Sequence, residues 1–157
     1  MRRRPDSRLS LLFEVHAAAR AVGDLVAAAL VEAPLTPEEY AVYSVLFDEG
    51  PHAPTELARR CGMPATSMTH FVRAMTARGH AERAVSAEDR RSYRIVLTAS
   101  GEAAHAETSQ AFAEAERRFT ETLGVDENQA RATLRAIGTA AAEARTGLLD
   151  DAIDETA

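Results

Sequence analysis

The chain of 157 residues has no tryptophan, no lysine and a single cysteine, and only 5% of its residues are aromatic. One thiol, Cys61, excludes an intramolecular disulfide, which fits a reducing compartment such as the cytoplasm. Apolar runs are also short, because Ser10 and Glu14 interrupt the first and Arg20 and Asp24 interrupt the longest. A membrane span needs about 18 uninterrupted apolar residues. We therefore expect a soluble cytoplasmic protein without a signal peptide.

Motifs of enzyme chemistry are missing as well. The sequence contains no glycine-rich phosphate loop and no arrangement that resembles a nucleophile with its base. Its five histidines show no His-x-x-x-His spacing, and no Cys-x-x-Cys pair is present. The sequence therefore predicts no enzyme, no cofactor and no metal site.

Charge is unevenly distributed along the chain. The net charge is −6, but residues 55–98 carry eight arginines against four acidic residues. The flanking segments, residues 1–54 and 99–157, are both acidic. Because nucleic-acid binding depends on a local basic surface rather than on the overall sign, the middle segment is the candidate for DNA binding.

A basic hairpin is predicted near the end of this middle segment. Two short extended runs cover residues 81–86 and 93–98. The second run alternates, with apolar residues on one face and Arg94 on the other, which is typical of a half-buried strand. The loop between the runs contains Asp89, Arg90 and Arg91. Two strands with an arginine-rich tip form a ribbon that can enter a groove of DNA.

The segment before the hairpin predicts a helix-turn-helix. Residues 55–61 form a short helix that Gly62 ends, and Pro64 opens a second helix that extends to Arg78. At 100° per residue, one face of the second helix is apolar and centred on Met68. The opposite face is polar and comprises Thr66, Ser67, Thr69, His70 and Arg73. A polar face of small side chains with one cation suits the major groove.

Long helices are predicted at both ends of the chain, over about residues 7–31, 99–123 and 126–149. In the first and last of these, apolar residues recur at alternating spacings of four and three, which is typical of a helix that packs on a partner helix. The two seams comprise Leu11, Val15, Ala18, Val22, Leu25 and Ala29, and Ala130, Leu134, Ile137, Ala141, Ala144 and Leu148. We expect a homodimer joined through these helices, in which two copies of the DNA-binding segment match a palindromic site.

One further helix is predicted between the first helix and the basic segment. Thr36-Pro37-Glu38-Glu39 is a capping box, with Thr36 as the N-cap and Glu39 at the third helical position. Gly50-Pro51 ends this helix. Its expected buried face comprises Tyr40, Val42, Tyr43 and Phe47.

These residues resemble the MarR family of bacterial transcriptional regulators. The resemblance is carried by Thr36-Pro37-Glu38-Glu39-Tyr40, Thr55-Glu56-Leu57-Ala58-Arg59-Arg60, Met68-Thr69, Met75-Thr76-Ala77-Arg78-Gly79 and, most specifically, Asp89-Arg90-Arg91-Ser92 followed by Ile95-Val96-Leu97-Thr98-Ala99-Ser100-Gly101. It implies a homodimeric winged helix-turn-helix repressor that binds a pseudo-palindromic operator and is released by a small ligand. One departure is Pro64, which stands where many members have a capping serine.

The resemblance also implies roles for individual residues. Arg91 at the wing tip would enter the minor groove, with Asp89 orienting the loop and the neighbouring Arg90 and Arg94 also at the DNA. The polar face of the second helix of the helix-turn-helix would read bases. The implied effector pocket, for an aromatic acid or phenol, is lined by His16, Arg20, Tyr40, Tyr43, Phe47 and His105. The alternative for these six residues is an ordinary core with satisfied polar groups.

The predicted fold is mainly α with a small β-wing. Residues 1–34 form an N-terminal dimerisation helix, 35–98 a winged helix-turn-helix domain, and 99–157 C-terminal dimerisation helices. The predicted partners are double-stranded DNA, a second copy of the chain and a small aromatic or phenolic effector. The alternative function is a dimeric winged-helix scaffold that binds protein instead of DNA. Cys61 is interpreted as a small half-buried apolar residue, with a redox sensor as the alternative.

Overall fold

A computed structural model describes residues 10–85 and 93–154. This part of the chain folds into six helices and one two-stranded sheet, so the predicted fold class is confirmed. The elements are α1 (Leu11–Ala29), α2 (Pro37–Glu49), α3 (Pro54–Arg60), α4 (Ala65–Ala77), β1 (Ala81–Val85), β2 (Tyr93–Leu97), α5 (Ala99–Thr122) and α6 (Glu127–Asp154). The chain divides into two compact units, Met1–Ala115 and Glu116–Ala157.

The helix starts follow from local capping. The predicted capping box of α2 is present, because Glu39 N–H donates to the Thr36 hydroxyl at 3.3 Å and Thr36 N–H donates to Glu39 Oε2 at 3.1 Å. Ser10 caps α1, with its hydroxyl 3.3 Å from Phe13 N. Asp126 caps α6 through its carboxylate, with Oδ1 2.9 Å from Gln129 N. Each cap satisfies an amide that the helix itself leaves without an acceptor.

Helix α4 starts differently from the prediction. Pro64 is the N-cap residue rather than the first helical residue, and it provides no side-chain hydrogen bond to the first turn. Its carbonyl oxygen accepts from Met68 N–H at 3.1 Å, so the helix gains its first backbone bond there. Because proline fixes φ near the helical value, it pre-organises this start without a polar cap.

Strand β2 forms backbone hydrogen bonds on both of its edges. Strands β1 and β2 are antiparallel, with Ala81 opposite Leu97 and Arg83 opposite Ile95. On its other edge Ile95 exchanges two backbone hydrogen bonds with His52, at 2.8 and 3.4 Å. The predicted alternation of β2 is confirmed, since Ile95 and Leu97 are both buried. The base of the wing is thus held on both edges of β2.

The core lies beneath the helix-turn-helix and the sheet. Its fully buried side chains are Leu35, Val42, Tyr43, Leu57, Met68, Met75 and Ile95. One expectation for α2 is wrong, because Phe47 is 52% exposed while Leu46 is buried in the core.

Cys61 is half-buried against this core, and burial raises the pKa of its thiol while the nearby Arg60 partly opposes the rise. A protonated, half-buried thiol fits the interpretation of Cys61 as an apolar residue.

The segment Leu97–Gly101 joins the sheet to α5 through a close backbone approach. The Thr98 hydroxyl donates to Gly79 O at 2.7 Å and accepts from Gly101 N–H at 3.2 Å, while Thr98 N–H donates to His80 O at 3.0 Å. A Cβ on residue 101 would lie 2.0 Å from His80 O. The Leu-Thr-x-x-Gly pattern therefore has a local physical reason: threonine caps α5 and glycine leaves room for the backbone of His80.

Candidate nucleic-acid interface

Helix α4 presents a polar face and buries the opposite one. Met68, Val72 and Met75 are buried in the core. The predicted reading residues lie on the other side, where Thr66, Thr69, His70 and Arg73 are exposed and Ser67 is half-buried. The buried face fixes the rotation of α4 about its axis, so this polar face is directed away from the protein.

Two of these side chains form a pair on the outer face of α4. Arg73 Nη2 lies 3.3 Å from His70 Nδ1, one helical turn earlier. The Thr69 hydroxyl donates to Ala65 O at 3.0 Å, which is a common local bond for threonine in a helix. The outer face thus offers a guanidinium and an imidazole side by side, with short hydroxyl side chains nearer the start of the helix.

The arginines near α4 differ in the ion pairs and hydrogen bonds that they form within the protein. Arg60 forms an ion pair with Glu49, whereas Arg59 is exposed at the end of α3. Arg94 donates to Pro51 O at 3.1 Å and lies 3.8 Å from Glu56 Oε2. The predicted DNA-binding residue Arg94 is therefore at the base of the wing, in contact with the start of α3.

The wing itself is described only at its base. The guanidinium of Arg83 on β1 lies 4.6 Å from the centre of the Tyr93 ring on β2, a cation–π contact across the two strands. The predicted tip residues Asp89, Arg90 and Arg91 lie outside the described residues.

A polar network connects α2 to the turn that follows α4. Arg78 Nη2 donates to Glu39 Oε1 at 2.7 Å and to the Tyr43 hydroxyl at 3.3 Å, and that hydroxyl lies 3.0 Å from His80 Nδ1. The hydrogen bond to Glu39 is the main cause that raises the pKa of Arg78 above its usual range. Burial raises the pKa of Tyr43, partly opposed by the charge of Arg78. The network therefore contains a charged guanidinium and a neutral phenol.

Three of the six predicted effector residues form a ring cluster between α2 and α5. The His105 ring stacks on Phe47 at 4.5 Å and on Tyr40 at 5.3 Å between centroids. Phe112 adds a fourth ring, 5.2 Å from Tyr40. The Tyr40 hydroxyl lies 3.2 Å from the Ser109 hydroxyl. The cluster thus has apolar ring faces and a few polar groups.

His105 is the polar centre of the ring cluster. It is only 6% exposed, its Nε2 lies 3.1 Å from the Ser44 hydroxyl, and its Nδ1 is buried without a hydrogen-bond partner. Burial lowers the pKa of His105, and the negative charge of Asp48 partly opposes this. A neutral imidazole with one unsatisfied nitrogen is able to accept or donate one further hydrogen bond.

The remaining predicted effector residues lie elsewhere. His16 and Arg20 line a shallow open groove of about 490 Å³ on α1, together with Phe13, Ala17, Ala21 and Asp24. Tyr43 faces the network with Arg78 and His80. The structure therefore brings together Tyr40, Phe47 and His105, and it separates them from Tyr43.

The sequence alone does not predict the contacts of Ser44, Arg78, His80 and Phe112. Their contacts span 35 to 72 positions of sequence, and such separations leave no local pattern. Ser44 had a weak signal, since it lies one helical turn after Tyr40 and one before Phe47 on the same side of α2.

Within residues 10–85 and 93–154, no cluster of three or more metal-binding side chains occurs. No helix of that part is long and apolar enough to cross a bilayer.

Solved structures of DNA-bound regulators share this architecture. The transcriptional regulator MosR of Mycobacterium tuberculosis, in complex with DNA, is 27% identical, with a TM-score of 0.73 over 87% of this chain and 99% of MosR. The transcriptional repressor CouR, bound to a 23-mer DNA duplex, is also 27% identical, with a TM-score of 0.72 over 89% of this chain and 99% of CouR. No protein-family model and no curated protein sequence matches the chain.

More distant structures show the same fold. CouR from Rhodococcus jostii RHA1 bound to p-coumaroyl-CoA is 23% identical, with a TM-score of 0.71 over 82% of this chain and 91% of CouR. A variant of Escherichia coli MarR is 15% identical, with a TM-score of 0.65 over 86% of this chain and 98% of MarR. These neighbours are transcriptional regulators and not enzymes. The chain is therefore a MarR-like winged-helix protein, with the fold of the MarR-type transcriptional regulators.

Proposed function

We propose that this chain is a DNA-binding transcriptional repressor that binds a pseudo-palindromic operator as a homodimer and is released by a small aromatic ligand. The observation that carries the proposal is the outer face of α4, where Thr66, Thr69, His70 and Arg73 are exposed opposite a buried apolar face. MosR and CouR, which share this architecture at 27% identity, were both solved in complex with DNA.

The chemistry of this face suits base reading. Arginine donates two parallel hydrogen bonds to guanine, and threonine or serine hydroxyls bond to several base edges. Arg73 supplies the guanidinium, and its neighbour His70 supplies a second polar group one turn earlier. Arg59 is exposed at the end of α3 and is a candidate for a phosphate contact. Arg91 of the wing tip is proposed to enter the minor groove, as the family resemblance implies.

Exposed apolar side chains on the terminal helices support a homodimer. Helix α1 has no buried residue, and Leu12 on it is 76% exposed. On α6, Leu134 is 66% and Leu148 is 72% exposed. Phe119, Leu123 and Leu134 line an apolar groove of about 200 Å³ where α5 meets α6. Long helices with uncovered apolar seams gain stability by packing on a second copy, and a two-fold dimer places two copies of α4 against two half-sites.

The ring cluster supports an aromatic effector. Tyr40, Phe47 and His105 offer ring faces, and the free Nδ1 of His105 offers one hydrogen-bonding position. CouR was solved with p-coumaroyl-CoA, an aromatic acyl thioester. A ligand that enters between α2 and α5 would release DNA only if it binds a dimer geometry that fits the operator poorly.

The experiment is a selection from a pool of random duplexes by the full chain, followed by sequencing of the bound fraction. We expect an inverted repeat whose half-sites are about 10 base pairs apart from centre to centre, because two copies of α4 must enter successive major grooves on one side of the duplex. The duplex enriched most is referred to below as the selected duplex.

The same selection with Arg73→Ala tests the reading face. We expect about fivefold weaker binding of the selected duplex or more, because one bidentate arginine–base contact is worth about 1–3 kcal/mol. Arg135→Ala is the matched control, since Arg135 is an exposed arginine on α6 outside the basic segment. Enrichment of no sequence by the wild-type chain would contradict the proposed function and favour the protein-binding scaffold.

A further inference from the structure

We infer that Glu39, Tyr43 and Arg78 are positioning residues that fix the turn between helix α4 and strand β1. This turn joins the two elements that are proposed to contact DNA, so its geometry sets how the recognition helix and the wing are placed relative to each other. The inference rests on the proposed function, because positioning matters only if both elements bind DNA.

The turn is short, and a glycine in the left-handed region forms its centre. Helix α4 ends at Ala77 and β1 begins at Ala81, so three residues make the connection. Arg78 is the C-cap residue of α4, and Gly79 follows with a φ of 72° in the left-handed region. A change in the backbone dihedral angles of these three residues changes the angle between α4 and β1, since no other residues connect them.

Each residue of the turn is held by a long-range contact. The Arg78 guanidinium donates to Glu39 Oε1 at 2.7 Å and to the Tyr43 hydroxyl at 3.3 Å. The same hydroxyl lies 3.0 Å from His80 Nδ1, and the Tyr43 ring packs edge-on against the His80 ring. The carbonyl of Gly79 accepts from the Thr98 hydroxyl at 2.7 Å. One phenol therefore holds the residues on both sides of the glycine.

Helix α2 provides a rigid support for this contact. Glu39 and Tyr43 are one helical turn apart, and both carboxylate oxygens of Glu39 are used, one by Arg78 and the other by the Thr36 amide of the capping box. Tyr43 is fully buried, so its hydroxyl has a fixed position. Charge-assisted hydrogen bonds from a fixed anchor restrain a turn more strongly than neutral bonds do.

A positioning role and a stabilising role differ in their effects on binding. A site that reads DNA with two elements requires both at once, within about 0.5 Å of the productive geometry. Loosening the turn would therefore weaken binding of the specific sequence, while the number of phosphate contacts would stay the same. The affinity would fall and the slope of log affinity against log salt would not change.

The test compares wild type, Tyr43→Phe, Arg78→Gln and Arg78→Lys in fluorescence-anisotropy titrations of the selected duplex at two salt concentrations. Tyr43→Phe keeps the buried ring and removes only the hydroxyl. We expect about fivefold weaker binding for Tyr43→Phe and Arg78→Gln, with the salt slope unchanged, and partial recovery for Arg78→Lys, which retains a charge for Glu39. Glu121→Gln, which breaks an exposed ion pair on α5, is the control.

A second measurement tests the restraint without DNA. Hydrogen exchange of the amides of Gly79 and His80, which bond to Thr76 O and Met75 O, should be about tenfold faster in free Tyr43→Phe than in free wild type. Unchanged exchange in a variant with a normal unfolding transition would overturn the inference, as would unchanged affinity in both variants. A salt slope lowered by about two in Arg78→Gln, one for each protomer of the dimer, would show that Arg78 contacts phosphate directly, which also overturns it.

The control of the whole test is wild type with the selected duplex and with a scrambled duplex. If wild type does not distinguish the two, the proposed function fails, and the role of the network in DNA reading fails with it. If wild type distinguishes them and the variants do so equally well, only the positioning inference fails.

Discussion

The winged-helix region and the terminal helices use apolar residues in opposite ways. In the first, Val42, Tyr43 and Leu57 are fully buried within a single chain. In the second, α1 buries no residue and α6 leaves Leu134 and Leu148 largely exposed. The winged-helix region therefore completes its core within one chain, whereas the terminal helices have apolar seams that one chain does not cover. We expect substitutions in the first region to change folding and those in the second to change association.

The largest expected effect is that of Gly101→Ala in the winged-helix region. The new Cβ would lie 2.0 Å from His80 O, so the joint between sheet and α5 must shift, at a cost of about 3 kcal/mol or more. Gly138→Ala on α6 is the control, since a Cβ there would meet no atom within 4 Å and alanine is the better helix former. Denaturant unfolding of both variants checks this, and equal stability of the two would contradict the difference between the regions.

The next effect concerns association through the terminal helices. Leu134→Glu places a charge on the α6 seam, and we expect a monomer in sedimentation analysis with the helical content unchanged, because the fold within one chain does not bury this side chain. Thr139→Glu carries the same charge on the opposite face of α6 and should remain a dimer. A Leu134→Glu protein that remains dimeric would place the interface elsewhere.

The N-terminal caps of α1 and α2 should also contribute unequally to stability. Thr36→Ala removes the capping box of α2 and should lower the free energy of unfolding by about 1 kcal/mol. Ser10→Ala removes the corresponding hydroxyl from α1 and should lower it less, because α1 buries no residue in the core. Chemical denaturation monitored by circular dichroism measures both. An equal loss in the two variants would mean that α1 is as much a part of the cooperative unit as α2.

The smallest effect expected is the pH dependence due to His105. Burial lowers its pKa in the folded state, while in the unfolded state it returns to about 6.5, so the unfolded chain binds the extra proton first as pH falls. The stability present above about pH 6.5 is therefore lost as pH decreases from there toward the lower folded-state pKa. His105→Phe keeps a ring in the cluster and should show a shallower decrease of melting temperature as the pH falls below that value. An identical pH profile would show that His105 does not contribute.

Local patterns were sufficient to predict most of the fold. The capping box of Thr36 and Glu39, the alternation in β2 and the order of six helices depend on neighbouring residues, and the structure confirms them. The last helix extends to Asp154, beyond the predicted end at Leu149. The Phe47 prediction was wrong because helical spacing identifies a face of α2 but not which edge of that face the rest of the fold covers.

The candidate site was less predictable than the fold. The polar face of α4 follows from helical periodicity, so its five residues could be identified from sequence. The sequence predicts Tyr43 as a pocket residue beside Tyr40, although its hydroxyl contacts Arg78 and His80, 35 and 37 positions away. Such contacts depend on how α2 packs against the turn after α4, and composition and spacing contain no record of that packing.

The most direct test of the central claim is an anisotropy titration of the selected duplex with wild type and Arg91→Ala at two salt concentrations. The claim is that the winged-helix region reads DNA sequence through α4 and the wing. We predict tight, salt-dependent binding by wild type, with Arg91→Ala weakened strongly and its salt slope reduced by about two, one for each wing of the dimer. Equal binding by Arg91→Ala and wild type would contradict the wing contact, and equal binding of selected and scrambled duplexes by wild type would contradict the claim as a whole.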